Sequence, residues 1–226
     1  MGLVEPNPPT PFVLPDPGDN LDAVDVDTTL ADVMGPIYIS LDSAFPDPLE
    51  GPGTNTGTAV ANGFVGGDVL VTSAGGLPAL YAPAPVLGLD VVPGAGPDSD
   101  DLDALALFES GDGVFTPGVD LIFYSVRRGS AVIGAPDSIF GAPISEGDIL
   151  VPPAIGGLSP FPGIWVAAEA LGLWTFRSFG ASEFGPFSDD LDALDVVPEP
   201  STVSLLVLGS LCLLGYAWRR RRQPAA

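Results

Sequence analysis

The sequence predicts a mainly β protein, an antiparallel sandwich-like ectodomain of two roughly 80–85-residue repeats followed by one C-terminal transmembrane helix. Three observations predict it. Apolar runs are short and broken by Gly, Pro, Asp and Ser, with 29 Gly and 26 Pro in 226 residues. Several short blocks recur in one order at offsets of 80 to 89 residues. A single long uncharged run lies near the end, closed by Arg219 to Arg222.

Residues 1–18 carry Pro6, Pro8, Pro9, Pro11, Pro15 and Pro17, which predicts an extended, poorly ordered lead. Leu21–Val26 predicts a strand, read as the closing strand of a third, truncated repeat or equally as a closing strand donated from the N-terminus. Ile37–Leu41, Val69–Thr72, Ala79–Ala82 and Leu102–Phe108 are the strand candidates of the first unit. Leu121–Val126, Ile149–Val151, Ile164–Ala167 and Leu191–Val197 are those of the second. Ala82–Leu89 and Trp165–Leu173 carry helical spacing and predict short helices. The repeated blocks tie the units together. Gly67-Asp68-Val69-Leu70-Val71 returns as Gly147-Asp148-Ile149-Leu150-Val151, and Leu87-Gly88-Leu89 as Leu171-Gly172-Leu173. Asn20-Leu21-Asp22-Ala23-Val24 returns at Asp101–Leu105 and again at Asp190–Leu194. The domain reading is a lead at 1–18, a first repeat with its preceding strand at 19–119, a second repeat at 120–197 and a tail at 198–222.

Composition excludes several functions. The chain has 29 acids, 7 bases and a net charge of −22, so phosphate backbones are repelled and nucleic acid is excluded as a partner. No His is present, which removes the commonest general base and any Ser–His–Asp set. The one Cys, Cys212, lies in the apolar tail, so neither a disulfide framework nor a thiolate metal site is available. No catalytic activity and no obligatory cofactor are expected.

The tail has three parts. Pro198-Glu199-Pro200 is stiff and extended. Ser201 to Trp218 is uncharged and, as a helix, would span roughly 27 Å, near the hydrocarbon thickness of a bilayer. Tyr216 and Trp218 stand at the interface, and Arg219, Arg220, Arg221 and Arg222 hold that end in the cytoplasm, leaving the acidic body outside. A Pro-Glu-Pro, an apolar span and a terminal Arg cluster in this order resemble the PEP-CTERM sorting signal. The resemblance implies an exosortase substrate, recognised at the inner membrane, cleaved near Pro198–Pro200 and delivered to the cell surface or the exopolysaccharide matrix. The first residues have neither a basic nor an apolar leader segment, unlike that family, and we read the true start as lying further upstream.

Two Asp clusters are the metal candidates: Asp98, Asp100, Asp101 and Asp103, and Asp189, Asp190 and Asp192. Loop carboxylates of this kind suit Ca²⁺, and equally suit turns that open a strand. A Ca²⁺-dependent adhesion or carbohydrate-binding module is therefore one alternative reading. A secreted hydrolase using two carboxylates is the other, with Glu109, Glu146, Glu169 and Glu183 available and no pair singled out. The segment Ser110–Phe115 is expected to be a Gly-rich hairpin turn. Arg127 and Arg128 are expected to be neutralised by nearby acids, and Trp165 and Trp174 to pack in the core.

Overall fold

The computed structural model describes residues 21–26, 36–41, 46–47, 51–52, 58–72, 76–179 and 188–194. The lead at 1–18, the sorting residues Pro198–Pro200, the span at 201–218 and Arg219–Arg222 lie outside them. Among the described residues, no helix is long and apolar enough to cross a membrane.

The architecture is mainly β, with two antiparallel four-stranded sheets. The first joins β1 (Leu21–Val26), β2 (Ile37–Leu41), β5 (Val69–Thr72) and β6 (Ala79–Ala82) in the order β1-β2-β5-β6. The second joins β7 (Leu102–Phe108), β8 (Leu121–Val126), β9 (Ile149–Val151) and β10 (Gly163–Val166) in the order β10-β9-β8-β7. A small ladder pairs β3 (Pro46–Asp47) with β4 (Gly51–Pro52). Helices are single turns: α1 (Thr58–Asn62), α2 (Ala84–Leu87), a 3-10 turn at Ala168–Leu171 and α3 (Phe176–Phe179).

The two sheets share one core. Tyr38, Val69 and Tyr81 from the first pack with Leu105, Leu107, Ile122, Tyr124 and Leu150 from the second. The Tyr124 hydroxyl donates to the Leu87 carbonyl across that core, so its polar end is satisfied while its ring stays buried. On its other side the first sheet presents Ile39, Leu41 and Leu70, which Ala59 of α1 and Phe64 cover. Burial on both faces explains why Ile37–Leu41 does not alternate apolar and polar residues, its one polar residue, Ser40, being buried too with its hydroxyl accepting the Ala23 amide. The same cause holds for β7, where four successive residues from Ala104 to Leu107 are buried.

Residue pairing in the two sheets runs in step. Val24 pairs with Ile39 and Leu105 with Tyr124; Leu21 pairs with Leu41 and Leu102 with Val126. Leu70 pairs with Leu80 and Leu150 with Ile164, each beside a bulge that displaces Tyr81 or Trp165. Two turns are matched as well. Asp68 accepts the Ala84 amide at 2.9 Å and the Val65 amide at 3.1 Å. Asp148 accepts the Ala168 amide at 2.9 Å and the Ser145 amide at 2.8 Å. Each short helix begun by those alanines ends on a left-handed glycine, Gly88 at φ 82° and Gly172 at φ 83°. Gly67 and Gly147 are needed for a different reason. A Cβ at Gly67 would lie 2.9 Å from Ala84 Cβ, and one at Gly147 would lie 2.8 Å from the Asp189 carbonyl oxygen.

Several expectations need correction. β7, assigned from sequence to the end of the first repeat, pairs with β8 and opens the second sheet, because its hairpin partner follows it directly. By the same pattern Leu21–Val26 opens the first sheet beside β2 rather than closing another. Residues 191–194 form no strand, although Leu191–Val197 was expected to; residues 195–197 lie outside the described set. Trp165 sits on β10 instead of in a helix, and the helical spacing of Trp165–Leu173 survives only as the 3-10 turn, since the strand claims its first residues. Trp165 and Trp174 are exposed, at 62% and 47%, because the core faces of β10 and its neighbours are filled by Ile164 and Leu150.

Candidate functional site

The acidic residues do three different jobs. In the first, a carboxylate replaces a backbone partner inside a turn. Asp90 accepts the amides of Asp98, Ser99 and Asp100, at 3.1, 2.7 and 3.0 Å. Asp100 in turn accepts the amides of Asp90 at 2.7 Å and Val132 at 2.8 Å, and Asp98 accepts that of Gly66 at 3.0 Å. Asp98 and Asp90 both have positive φ, at 59° and 55°, a conformation that Asp tolerates because its carboxylate bonds locally. Asp137 accepts from Ile139, Phe140 and Ala142 within its own turn and from Ile164 of β10. Burial works to push the Asp137 carboxyl up, but the four amides outweigh it and bring it below the usual range. For Asp68 and Asp100 burial dominates and raises the carboxyl despite their amide partners.

The second job is ion pairing. Arg177 donates to both oxygens of buried Asp148, at 2.6 and 2.5 Å, and to Glu169 at 2.9 Å, besides the Pro143 carbonyl. The Arg177 hydrogen bonds hold the Glu169 carboxyl down at about 2. Arg127 faces buried Asp101 at 3.5 Å, and Arg128 donates to the Ser188 carbonyl at 2.9 Å. Arg127 thus meets an acid, as expected from sequence, and Arg128 lies near enough to Asp190 to oppose the upward shift that burial gives its carboxyl.

Third, Asp103, Asp190 and Asp192 bring one carboxylate oxygen each to within 4.8 Å of one another. Burial raises the Asp190 carboxyl, Arg128 opposes this, and Asp192 and Glu146 add to it. Three oxygens are half or less of what Ca²⁺ takes.

The two expected clusters are therefore not two sites. Asp98 and Asp100 spend their oxygens on backbone amides, Asp101 faces Arg127, and Asp189 accepts the Trp174 amide at 2.8 Å. Only Asp103 joins Asp190 and Asp192, because the third copy of the block lies against the second sheet, where the Ser125 hydroxyl donates to the Leu191 carbonyl. The glutamates do not converge on a shared space. Glu109 binds the amides of its own turn, Glu146 accepts the Ser145 hydroxyl, and Glu169 is held by Arg177; Glu183 lies outside the described residues. The turn around Ser110–Phe115 closes the β7–β8 hairpin, with Asp120 accepting the amides of Ser110 and Thr116. Sequence reasoning missed Asp90, Asp137 and Arg177. Nothing local marks them, whereas Asp68 and Asp148 were visible inside a recurring block.

The chain divides into two units between Asp195 and Val196. Residues 196–222 match the PEP-CTERM protein-sorting motif, so the second unit opens where the motif opens. No curated protein and no solved structure matches the chain.

Proposed function

We propose that this chain is a non-catalytic structural protein of the cell surface or exopolysaccharide matrix, whose body consists of two copies of one β unit. The match at 196–222 is the observation that carries the sorting half: a PEP-CTERM motif marks a protein exported to the cell envelope or surface by an exosortase-type enzyme. On this reading Ser201–Trp218 spans the inner membrane transiently and Arg219–Arg222 stay in the cytoplasm until the tail is processed near Pro198–Pro200.

The matched pairings of Val24–Ile39 with Leu105–Tyr124, and the matched turns at Asp68 and Asp148, support the two-copy reading. A carboxylate that only holds turns or pairs with Arg has no free oxygen with which to attack or to shuttle a proton. The acids so engaged, Asp100, Asp137 and Asp148 among them, therefore favour a structural body over a hydrolase.

Deleting Pro198–Glu199–Pro200 tests the sorting role. Cell fractionation should find the variant unprocessed and retained in the inner membrane. Normal processing and surface delivery of the deleted form would defeat the proposal.

A further inference from the structure

The two Gly-Asp turns are built alike up to one group. Asp68 and Asp148 each accept two amides, from Val65 and Ala84 in the first unit and from Ser145 and Ala168 in the second. In the second unit both Asp148 oxygens also take Arg177, whose guanidinium reaches Glu169 and the Pro143 carbonyl as well. Each of these three partners has a counterpart in the first unit. Asp68 corresponds to Asp148. Gly63 stands five residues before Asp68, as Pro143 does before Asp148, and Pro85 follows Ala84 as Glu169 follows Ala168. Gly63, Asp68 and Pro85 all line one open cleft of about 570 Å³. The cleft thus lies where the second unit holds its guanidinium.

The segments that follow account for the difference. The Asp90 amide donates to Asp100 at 2.7 Å and the Trp174 amide to Asp189 at 2.8 Å, so the units are in step to this point. Beyond Trp174 the chain forms α3 and returns Arg177 to the Asp148 turn. Beyond Asp90, residues 91–97 include no base, and Asp90 itself lines the cleft with Asp68. Among the described residues that line it, none is basic. Burial raises the Asp68 carboxyl, and the like charges of Asp90 and Asp98 add to the rise. A cation in the cleft would relieve that repulsion, and the net charge of −22 draws cations toward the body. Asp148 shows that a carboxylate holding two amides still accepts both ends of a guanidinium. That fork matches a carboxylate better than an ammonium does. Leu80, Val91 and Val92 supply an apolar wall for the methylene stem of an arginine.

We propose that this cleft of the first unit binds the guanidinium of an arginine side chain presented by a partner protein, held by Asp68 and Asp90. The proposal rests on the two-copy reading of the body, which makes Arg177 the guide to what fits.

Nα-acetylarginine amide, titrated into the isotope-labelled full chain in detergent micelles, tests it by NMR. The Val65 and Ala84 amide signals should shift saturably, with half-saturation on the order of 1 mM for a lone side chain. The Ser145 and Ala168 amides, whose carboxylate Arg177 already holds, should stay in place. Asp90→Asn should weaken binding about tenfold, a usual cost of losing one charged partner. Should Asp90→Asn not fold, Leu80→Arg, at a position 48% exposed on the cleft wall, supplies a guanidinium of the chain's own and should block the titration. No saturation up to about 50 mM, beyond the range of specific binding, would overturn the proposal. So would an equal response to Nα-acetylcitrulline amide, which has the shape without the charge, or binding that neither variant weakens. Free L-arginine binding more tightly than the blocked form would overturn the partner-protein source. Melting Gly67→Ala and Gly147→Ala separates all this from the two-copy reading: similar losses of Tm support two equivalent units whatever the titration gives, and a loss at one position alone overturns that reading.

Discussion

Tyr38 and Phe123 occupy the same register position in two sheets of the same build, yet one is wholly buried and the other only partly so. Both sit beside an aromatic displaced by a bulge, and both flank a strand that begins with a Gly-Asp turn. What separates them is what comes next along the chain. The first sheet is followed by a second that covers it; the second is followed by a sorting tail. A side chain's burial here is set by its place in the stack, and its residue type alone does not report it.

The sharpest way to break this contrast is to truncate both rings. Tyr38→Ala should cost about 3–5 kcal/mol, as for other fully buried aromatics, whereas Phe123→Ala should cost less than half of that. Thermal melts of the full chain in mild detergent measure both. Equal costs would erase the distinction between the faces.

A second contrast lies between the Gly-Asp turns. Asp68 has only amide partners, while Asp148 also holds Arg177. Arg177→Met should destabilise by about 3 kcal/mol, since it leaves a buried carboxylate without its counter-charge. Asp148→Asn in the Arg177→Met background should recover part of that loss, in chemical or thermal unfolding. An Arg177→Met variant as stable as wild type would show that the two turns are held alike.

The smallest effect is the pH response of the same pair of turns. Glu169 is held at about 2 by Arg177, below its ordinary 4.5, so its contribution to stability is present above pH 4.5 and disappears as pH falls toward 2. Asp68 and Asp100 are shifted upward, so their contribution runs the other way: full below the ordinary carboxylate range and lost as pH rises from there through their raised values. In Glu169→Gln the drop in Tm between pH 4.5 and 2 should shrink by a few degrees, which a pH series of melts reads directly. An unchanged drop would place the acid sensitivity elsewhere.

Much of the local structure was legible in sequence. Eight of the strands were set by short apolar runs and their Gly, Pro and Asp boundaries, seven of them to the residue; β10 alone is displaced, beginning at Gly163 rather than Ile164. Recurrence marked Asp68 and Asp148 without any knowledge of their bonds. Partners distant in sequence were not legible. Arg177 meets Asp148 across 29 residues, and Asp103 meets Asp190 and Asp192 only because the third block folds back on the second sheet.

The sequence by itself determined eight of the strands, the net negative charge, the absence of His chemistry and the sorting motif, since each depends on neighbouring residues or on plain composition. Tertiary structure alone decided that β7 opens the second sheet, that most of the Asp-cluster residues hold turns or face Arg, and that Phe123 and Trp165 face outward. The physical reason is that hydrogen-bond partners and burial are properties of packed surfaces, and two chemically similar strands receive different ones when the equivalent face of only one of them lies against another sheet.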